Sequence, residues 1–557
     1  MTTVFEFKRT VIRKSKTARL LEILDKFRQY EERVQVAINE GKIFKFIAAW
    51  DVPRIKLELF KRGYIETVAN PFYNLRSVLP LYNLIDAAEP YNDYEQALLC
   101  KILGDHQPNF IWTEQPWVYQ WYEGATIINK LDFGNEINFW LKDGSCHYIR
   151  LINSKIKKYK HRIKYPRSYD VIEHKETENF QKDYRFTAAT SLVLFLYDKK
   201  DIEEWFSKEN GTVYYSSLEF ALQAIESRIR RIKRPDDTKN PNYETKKYHH
   251  QWKKVFRAHH KVVMEKQKIV CGPERANEFI ARITKVTEHL LRYYPNRRHD
   301  GYHNIWLLKP TYSGEGRGII ITQNEKEILH HINHDNQNYI IQKYIESPLL
   351  IYNTKFDLRQ YFMFTVDKEY LRCWWHPVMS VKFASEEFCL EVFNETIHLT
   401  NAAIQFKYNK KSNPNLPIEH LWTLGPLVTY IERFLKKGYK WQDSVVPAMK
   451  KAISQIFFAC MHDIDLKPGR FELFGNDWLI TDDFETYLLE VNRPPSLVPY
   501  QSPVSEIVCG TISQDIIRVV VDFYENPRAN TGQFEIMHEY KISDLKNGRV
   551  REVPCWT

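Results

Sequence analysis

The stretch DWLITDDFETYLLEVN, residues 477–492, holds two apolar-rich runs separated by the polar turn Asp482-Asp483-Phe484-Glu485. This pattern predicts an antiparallel hairpin. Closing the four-residue turn sets Asp477 opposite Glu490, and the two-residue period of a strand puts Glu490 and Asn492 on one face. Three hard oxygen donors then converge, a set that suits Mg²⁺ shared with water and phosphate oxygens better than a closed protein cage. Two facing carboxylates with no cation between them would repel and raise a pKa, which favours a bound cation. An exposed hairpin with solvated acids has the same spacing.

Upstream, Lys355-Phe356-Asp357-Leu358-Arg359-Gln360-Tyr361-Phe362 alternates with period two. Lys355, Asp357 and Arg359 share one face of the predicted strand, while Phe356, Leu358 and Phe362 face a core. The charged row fits either a phosphate clamp or an ordinary surface ion ladder. Further upstream, IWLLKP (305–310) and TYSGEGRGIIIT (311–322) read as a strand ending in Lys309, a loop with Gly314, Gly316 and Gly318, and a second strand. Such glycines let backbone N–H groups approach phosphate, with Lys309 and Arg317 adding positive charge. The loop matches neither the G-x-x-x-x-G-K-[ST] nor the G-x-G-x-x-G fingerprint, so alone it fits a plain hairpin equally well.

The 557 residues, 43% hydrophobic and 14% aromatic, suffice for two to four folded domains. Residues 14–40 carry Leu20, Leu21, Ile23, Leu24 and Phe27 at helical spacing, ending near Gly41. IFKFIAAW and IKLELFKRGYIETV then read as strand, helix, glycine cap and strand, the start of an α/β unit that closes near residue 185. Residues 186–300 are helical in texture, interrupted by the polar loop RPDDTKNPNYETKK (234–247), which reads as mobile. Strand-like texture runs from 304 to 381, a helix is expected around 447–462, and the end of the chain from about 526 is a polar, peripheral tail.

Eight cysteines without a C-x-x-C pair argue against zinc ribbons and a disulfide framework, and read as reduced thiols in a cytosolic compartment. No apolar h-region opens the sequence and no apolar run approaches the roughly 18 residues of a membrane span, so neither secretion nor membrane insertion is expected. A net charge of +10 favours anionic partners. Its densest runs, residues 155–164 and 228–234, lack the aromatic interleaving that stacks bases, which leaves a solvated face or docking to an acidic protein. There is no G-x-S-x-G nucleophile, and the adjacent pairs His259-His260 and His330-His331 lack metal-ligand spacing.

The ordered set of Lys309-Pro310, the glycine-rich hairpin, YIIQKYIESPLLIYNTKFDLRQYF (339–362), HLTNAAIQ (398–405), FELFGND (471–477) and LLEVNRPPS (488–496) resembles the tubulin tyrosine ligase-like family. Further segments, including 165–195, 217–229 and 251–263, most resemble its glycylase branch and extend the similarity to about residues 45–530. The resemblance implies an α/β, ATP-grasp-like ligase fold. The expected organisation is an N-terminal helical extension (1–41), an α/β domain (42–185), the ligase domain (186–530) with a helical lead-in, and a tail (531–557).

It also implies ATP and Mg²⁺ as cofactors, tubulin or microtubules with acidic tails as partner, and free glycine as co-substrate. The reaction would join glycine to glutamate γ-carboxylates of tubulin, and possible further acidic proteins, through an acyl phosphate. The expected places are cytoplasm and cytoskeleton, including the axoneme of a cilium or flagellum. By position, Lys309, Arg317 and Gly318 correspond to phosphate-side contacts, and Gln342, Lys343, Tyr344 and Ile345 to the adenine hinge. Lys355, Phe356, Asp357, Thr400 and Asn401 correspond to further nucleotide contacts, Asp477, Glu490 and Asn492 to Mg²⁺ ligands, and Arg359 and Lys382 to catalytic cations. Two positions depart from the family pattern: Lys382 stands where arginine is usual, and Ala403 where a polar side chain is common. A glutamylase of the same fold, or a weakened microtubule-binding relative, remains open at this level. A nucleic-acid role rests on net charge alone.

Overall fold

The computed structural model describes residues 18–47, 52–67, 75–114, 124–134, 137–156, 161–234, 241–408, 413–499 and 502–549. Residues 157–160 of the basic run, 235–240 of the polar loop and 550–557 of the tail lie outside these.

The expected strand-helix-strand start is present as Ile43–Ile47, Pro53–Lys61 and Ile65–Glu66. Pro53 occupies the first helical turn, where its missing N–H costs no hydrogen bond. Gly63 turns the chain beyond the helix at φ +84°, and the two strands pair in parallel. The preceding helix, Ala18–Asn39, buries Ile23, Phe27, Tyr30 and Val34 and leaves Leu21 exposed.

These first strands belong to the same sheet as the two charged motifs. Its order is Leu421–Thr423, Tyr370–Phe383, Thr354–Val366, Arg470–Ile480, Ile127–Ile128, Phe110–Thr113, Ile43–Ile47 and Ile65–Glu66, with Thr486–Asn492 paired to Arg470–Ile480. The sheet is antiparallel where it carries the motifs and parallel beyond Ile127. At the junction Gly469 has φ +78°, and a Cβ there would lie 1.7 Å from the Thr126 carbonyl oxygen, so the close approach requires glycine.

One face of Thr354–Val366 presents Phe356, Leu358, Phe362 and Phe364 to a core shared with the helices Lys142–Lys155 and Trp441–Cys460. Phe362 stacks on Phe474 at 4.8 Å. Residues Tyr361 and Met363 of the other face join a second core with the helix Pro503–Ile517. The Trp441–Cys460 helix begins six residues before Pro447, because buried Trp441, Val445 and Val446 fix the turn that a proline would otherwise disfavour. Residues 535–541, expected within the tail, form an edge strand on Tyr370–Phe383. Its residues are at most half-buried, so no apolar alternation marks it in sequence.

A second, four-stranded sheet runs Ser168–Asp170, Tyr339–Lys343, Trp306–Pro310 and Ile320–Thr322, all antiparallel. Beside it pack the helices His174–Tyr197, Tyr215–Lys233, His249–His259 and Pro273–Tyr293. No described helix is long and apolar enough to cross a membrane, and the seven described cysteines are free thiols.

Asp183 locks this region. Its buried carboxylate accepts from Arg297 Nη2 at 2.8 Å and the Tyr169 hydroxyl at 2.7 Å, lies 3.3 Å from Arg228, and contacts Arg167. Burial pulls the Arg167 guanidinium down to about 10. Replacing Asp183 by Asn strands this cationic cluster, and the expected loss is about 3–5 kcal/mol of unfolding free energy in a denaturant melt.

Candidate functional site

A cleft of about 500 Å³ opens between the two sheets. The small sheet contributes Leu307, Lys309, Ile340 and Gln342, and the large sheet contributes Lys355, Asp357, Asp477 and Glu490.

The hairpin pairs Asp477 with Glu490 and Gly475 with Asn492, as the alternation requires. The route to that register differs from expectation. The loop has five residues, Thr481 to Glu485, with the Thr481 hydroxyl donating to Asp483 at 2.5 Å and accepting from the Glu485 N–H at 3.0 Å. The extra residue is offset by a bulge that leaves Leu489 unpaired, so Leu489 and Glu490 both reach the cleft. Asn492 Nδ2 lies 3.4 Å from Glu490 Oε1.

Asp477 is 3% exposed and receives a fork from Arg359, with Nε at 2.7 Å and Nη2 at 2.9 Å. Lys382 Nζ sits 3.1 Å from the same carboxylate and 2.9 Å from Asp357 Oδ1. The Thr400 hydroxyl donates to the other Asp357 oxygen. Four charges therefore alternate along a buried ladder: Asp357, Lys382, Asp477, Arg359. Burial alone would raise the Asp477 carboxyl, but Arg359 and Lys382 hold it well below the usual carboxylate range. Asp357 has burial and the neighbouring Asp477 against it, and its carboxyl is raised despite Lys382. Burial lowers the Lys382 ammonium, yet the two aspartates carry it above its ordinary value.

The walls are cationic. Lys309 is half-buried and has no side-chain hydrogen-bond partner among the described residues; burial lowers its ammonium, opposed by Glu490. Lys355 Nζ donates to the Tyr344 hydroxyl at 3.0 Å and the His398 carbonyl at 2.8 Å. Burial pulls it down to about 7, against the pull of Asp357. Gln342, Lys343, Tyr344 and Ile345 all line the cleft, with Lys343 tied to Glu346 at 2.9 Å and the Tyr344 hydroxyl to His398 Nδ1 at 2.8 Å. Thr400 and Asn401 line it too. Gly316, at φ +78°, packs so tightly that a Cβ would lie 2.7 Å from Asn401 Oδ1.

Three sequence candidates fall elsewhere. Arg317 has a side chain 76% exposed, turns outward to pair with Glu315, and with Gly318 is absent from the cleft lining. Phe356 is buried in the core behind the sheet, because alternation places it opposite its charged neighbours. Lys142, which no motif marked, does enter the cleft. From the start of its helix it donates to the Pro310 carbonyl at 3.0 Å and to the Ser313 carbonyl, pinning the glycine-rich loop. An adjoining cavity of about 260 Å³ holds Ala403 with Arg359 and Lys382, and shares Glu490 and Asn492 with the cleft.

No group of three or more His, Cys, Asp or Glu among the described residues is placed to hold a metal. Asp477, Glu490 and Asn492 offer two carboxylates and an amide, hard donors that fit Mg²⁺ when water and phosphate complete its shell.

Residues 231–528 match the model of the Tubulin-tyrosine ligase family. The chain belongs to this family. Its cleft between two sheets is the family's ATP-grasp-like arrangement. This tubulin-tyrosine ligase family chain is 28% identical over 543 residues to Tubulin glycylase 3A of Drosophila melanogaster, covering 93% of itself and 53% of that protein. It is 28% identical over 556 residues to Tubulin glycylase 3B of the same organism, covering 94% and 70%. A protein monoglycylase of Mus musculus is 26% identical over 562 residues, with 94% and 66% covered. The chain thus spans 53% to 70% of the length of these relatives.

Lys355 provides a test of the cleft. A polyphosphate beside it favours its charged form and lifts its pKa, so binding above pH 7 takes up a proton and affinity falls as pH rises. Calorimetric titration with inorganic triphosphate at pH 8, in buffers of different ionisation enthalpy, should show this uptake. Lys355→Met should lower it by about one proton; an unchanged value would remove Lys355 from the anion site.

Proposed function

We propose that this protein is an ATP-dependent carboxylate-amine ligase that adds glycine to glutamate γ-carboxylates of tubulin. The observation that carries it is the junction of the two cavities. Arg359 and Lys382 stand where the cleft meets the adjoining cavity, beside Asp477, Glu490 and Asn492, with Lys309 and Lys355 on the walls. The printed names of the relatives, glycylase and monoglycylase, favour glycine as the donor.

The nucleotide base would lie against the segment 342–345, with the triphosphate directed toward Lys309 and Lys355. Asp477, Glu490 and Asn492 would hold Mg²⁺, which supplies charge neutralisation at the phosphates. The γ-carboxylate of the acceptor attacks the terminal phosphorus, ADP leaves, and an acyl phosphate forms. The glycine amine then attacks the acyl carbon, phosphate departs, and an isopeptide bond remains. Arg359 and Lys382 stabilise the negative charge that develops in both steps, and the burial of their side chains strengthens them. Lys382 offers single ammonium contacts where arginine would grip with a fork, so it positions charge without fixing orientation. Arg317, on the outer side of the loop, is left out of this set.

Residues 186–530 would form the ligase body, with 42–185 as the preceding α/β unit. The net charge of +10 draws the protein to the acidic tails of tubulin, and hence to the cytoskeleton and ciliary axoneme; the attraction weakens with salt.

Purified protein with ATP, Mg²⁺ and microtubules, offered labelled glycine or labelled glutamate, should incorporate glycine in an ATP-dependent manner. Glutamate incorporation would reassign the donor, and neither label would remove the ligase reaction on tubulin. Glu490→Gln should lower turnover on the order of 100-fold with the fold intact; normal turnover would strike Glu490 from the metal set.

A further inference from the structure

His398 ends the short helix Glu395–His398, just before Thr400 and Asn401 of the cleft. The residue is buried, and its ring meets Tyr344 edge-on at 5.3 Å, with Phe388 and Phe393 beside it at 5.7 and 6.1 Å. Both ring nitrogens are engaged. Nδ1 lies 2.8 Å from the Tyr344 hydroxyl, and Nε2 lies 2.8 Å from the Val392 carbonyl oxygen. The Tyr344 oxygen in turn stands 3.0 Å from Lys355 Nζ, which also donates to the His398 carbonyl at 2.8 Å. That leaves one N–H of the ammonium without a partner among the described residues.

One arrangement of hydrogens satisfies this chain while Lys355 is charged. A carbonyl oxygen only accepts, so Nε2 carries a proton. Burial and the neighbouring Lys355 pull the imidazolium down to about 4, so near neutrality the ring has no second proton and Nδ1 is an acceptor. The Tyr344 O–H therefore donates to Nδ1, which turns the lone pairs of that oxygen toward Lys355. A hydrogen on Nδ1 would reverse the hydroxyl and aim it at an ammonium, which has nothing to accept with.

The ring thus decides which form of Lys355 its neighbour favours. With Nδ1 in place, the Tyr344 oxygen accepts from the ammonium, and a hydrogen bond to the charged form favours that form. Without Nδ1, the buried hydroxyl finds an acceptor in the neutral amine of Lys355, and favours the uncharged lysine instead. The balance is close. Burial pulls Lys355 down to about 7, Asp357 on the same strand opposes this, Lys309 adds to it, and Glu346 and Cys389 lie near Tyr344.

We infer that His398 is a positioning residue of the cleft: through the Tyr344 hydroxyl it holds Lys355 in its charged form, with one N–H left for a phosphate oxygen. The role rests on the reading of the cleft as a polyphosphate site. It assigns to the His398 ring the orientation of a hydrogen bond rather than a contact with the phosphate.

The test titrates the native chain and its variants, each with an unchanged circular-dichroism spectrum, with inorganic triphosphate by calorimetry at pH 8 and pH 5. Triphosphate carries no base, so a hinge contact of Tyr344 does not enter. His398→Leu should weaken binding about tenfold at pH 8, where free Lys355 is mostly neutral and a fall of about one unit in its pKa is felt in full. At pH 5 the lysine is charged in either chain, and the variant should match the native within about twofold. His398→Asn, whose side-chain oxygen stands in for Nδ1 as an acceptor, should recover most of the loss at pH 8. Tyr344→Phe should repeat the pattern of His398→Leu, and serves where that variant does not fold. Equal weakening at both pH values would make His398 a packing residue only, and unchanged affinity at pH 8 would sever it from Lys355; either result overturns the role while the cleft reading stands. A native chain that does not bind triphosphate would overturn the cleft reading and this role together.

Discussion

The structure of the cleft depends on the buried ladder Asp357, Lys382, Asp477 and Arg359. Its members come from three neighbouring strands, so the charges stay together only while Thr354–Val366 keeps its register with Tyr370–Phe383 on one side and Arg470–Ile480 on the other. Each charge is too deeply buried to be tolerated alone, and removing any one strands its neighbours. The ladder therefore specifies strand register as well as site chemistry. Its two cations also favour the ionised form of Asp477 against the cost of burial.

Opposite this satisfied floor stand cations that are not satisfied. Among the described residues the Lys309 side chain has no hydrogen-bond partner, and the hydrogen bonds of Lys355 go to neutral oxygens. Burial disfavours the charged form of both, and the carboxylates of Glu490 and Asp357 offset only part of that cost. The fold thus separates two tasks: the large sheet neutralises itself, and the small sheet with the start of Thr354–Val366 awaits a ligand.

Much of this arrangement was legible in local sequence. Alternation alone placed Lys355, Asp357 and Arg359 together and Phe356 behind them, and it paired Asp477 with Glu490. The pairing was reached through a longer loop and a bulge at Leu489, two local departures that cancel and so leave no trace in a two-residue pattern. Arg317 misled because glycines on both sides of it, each at positive φ, turn its side chain outward, and backbone sign cannot be read from a G-x-G string. The edge strand 535–541 lacked an apolar face to announce it. Lys142 was invisible for a different reason: its partners lie more than 160 residues away, and a lone lysine carries no periodicity.

That lysine changes what the word domain means here. The stretch matching the family model starts at residue 231, yet one wall of the cleft is fastened by residue 142, and strands from residue 43 onward extend the sheet that holds the acidic ladder. The border of the family model is not a border of the structure. The upstream region holds the glycine-rich loop through Lys142, so a change there reaches the lining of the cleft. A substitution at residue 142 can therefore disturb the loop that borders the cleft while every motif of the cleft stays in place, because the loop is fastened from outside the stretch that carries them.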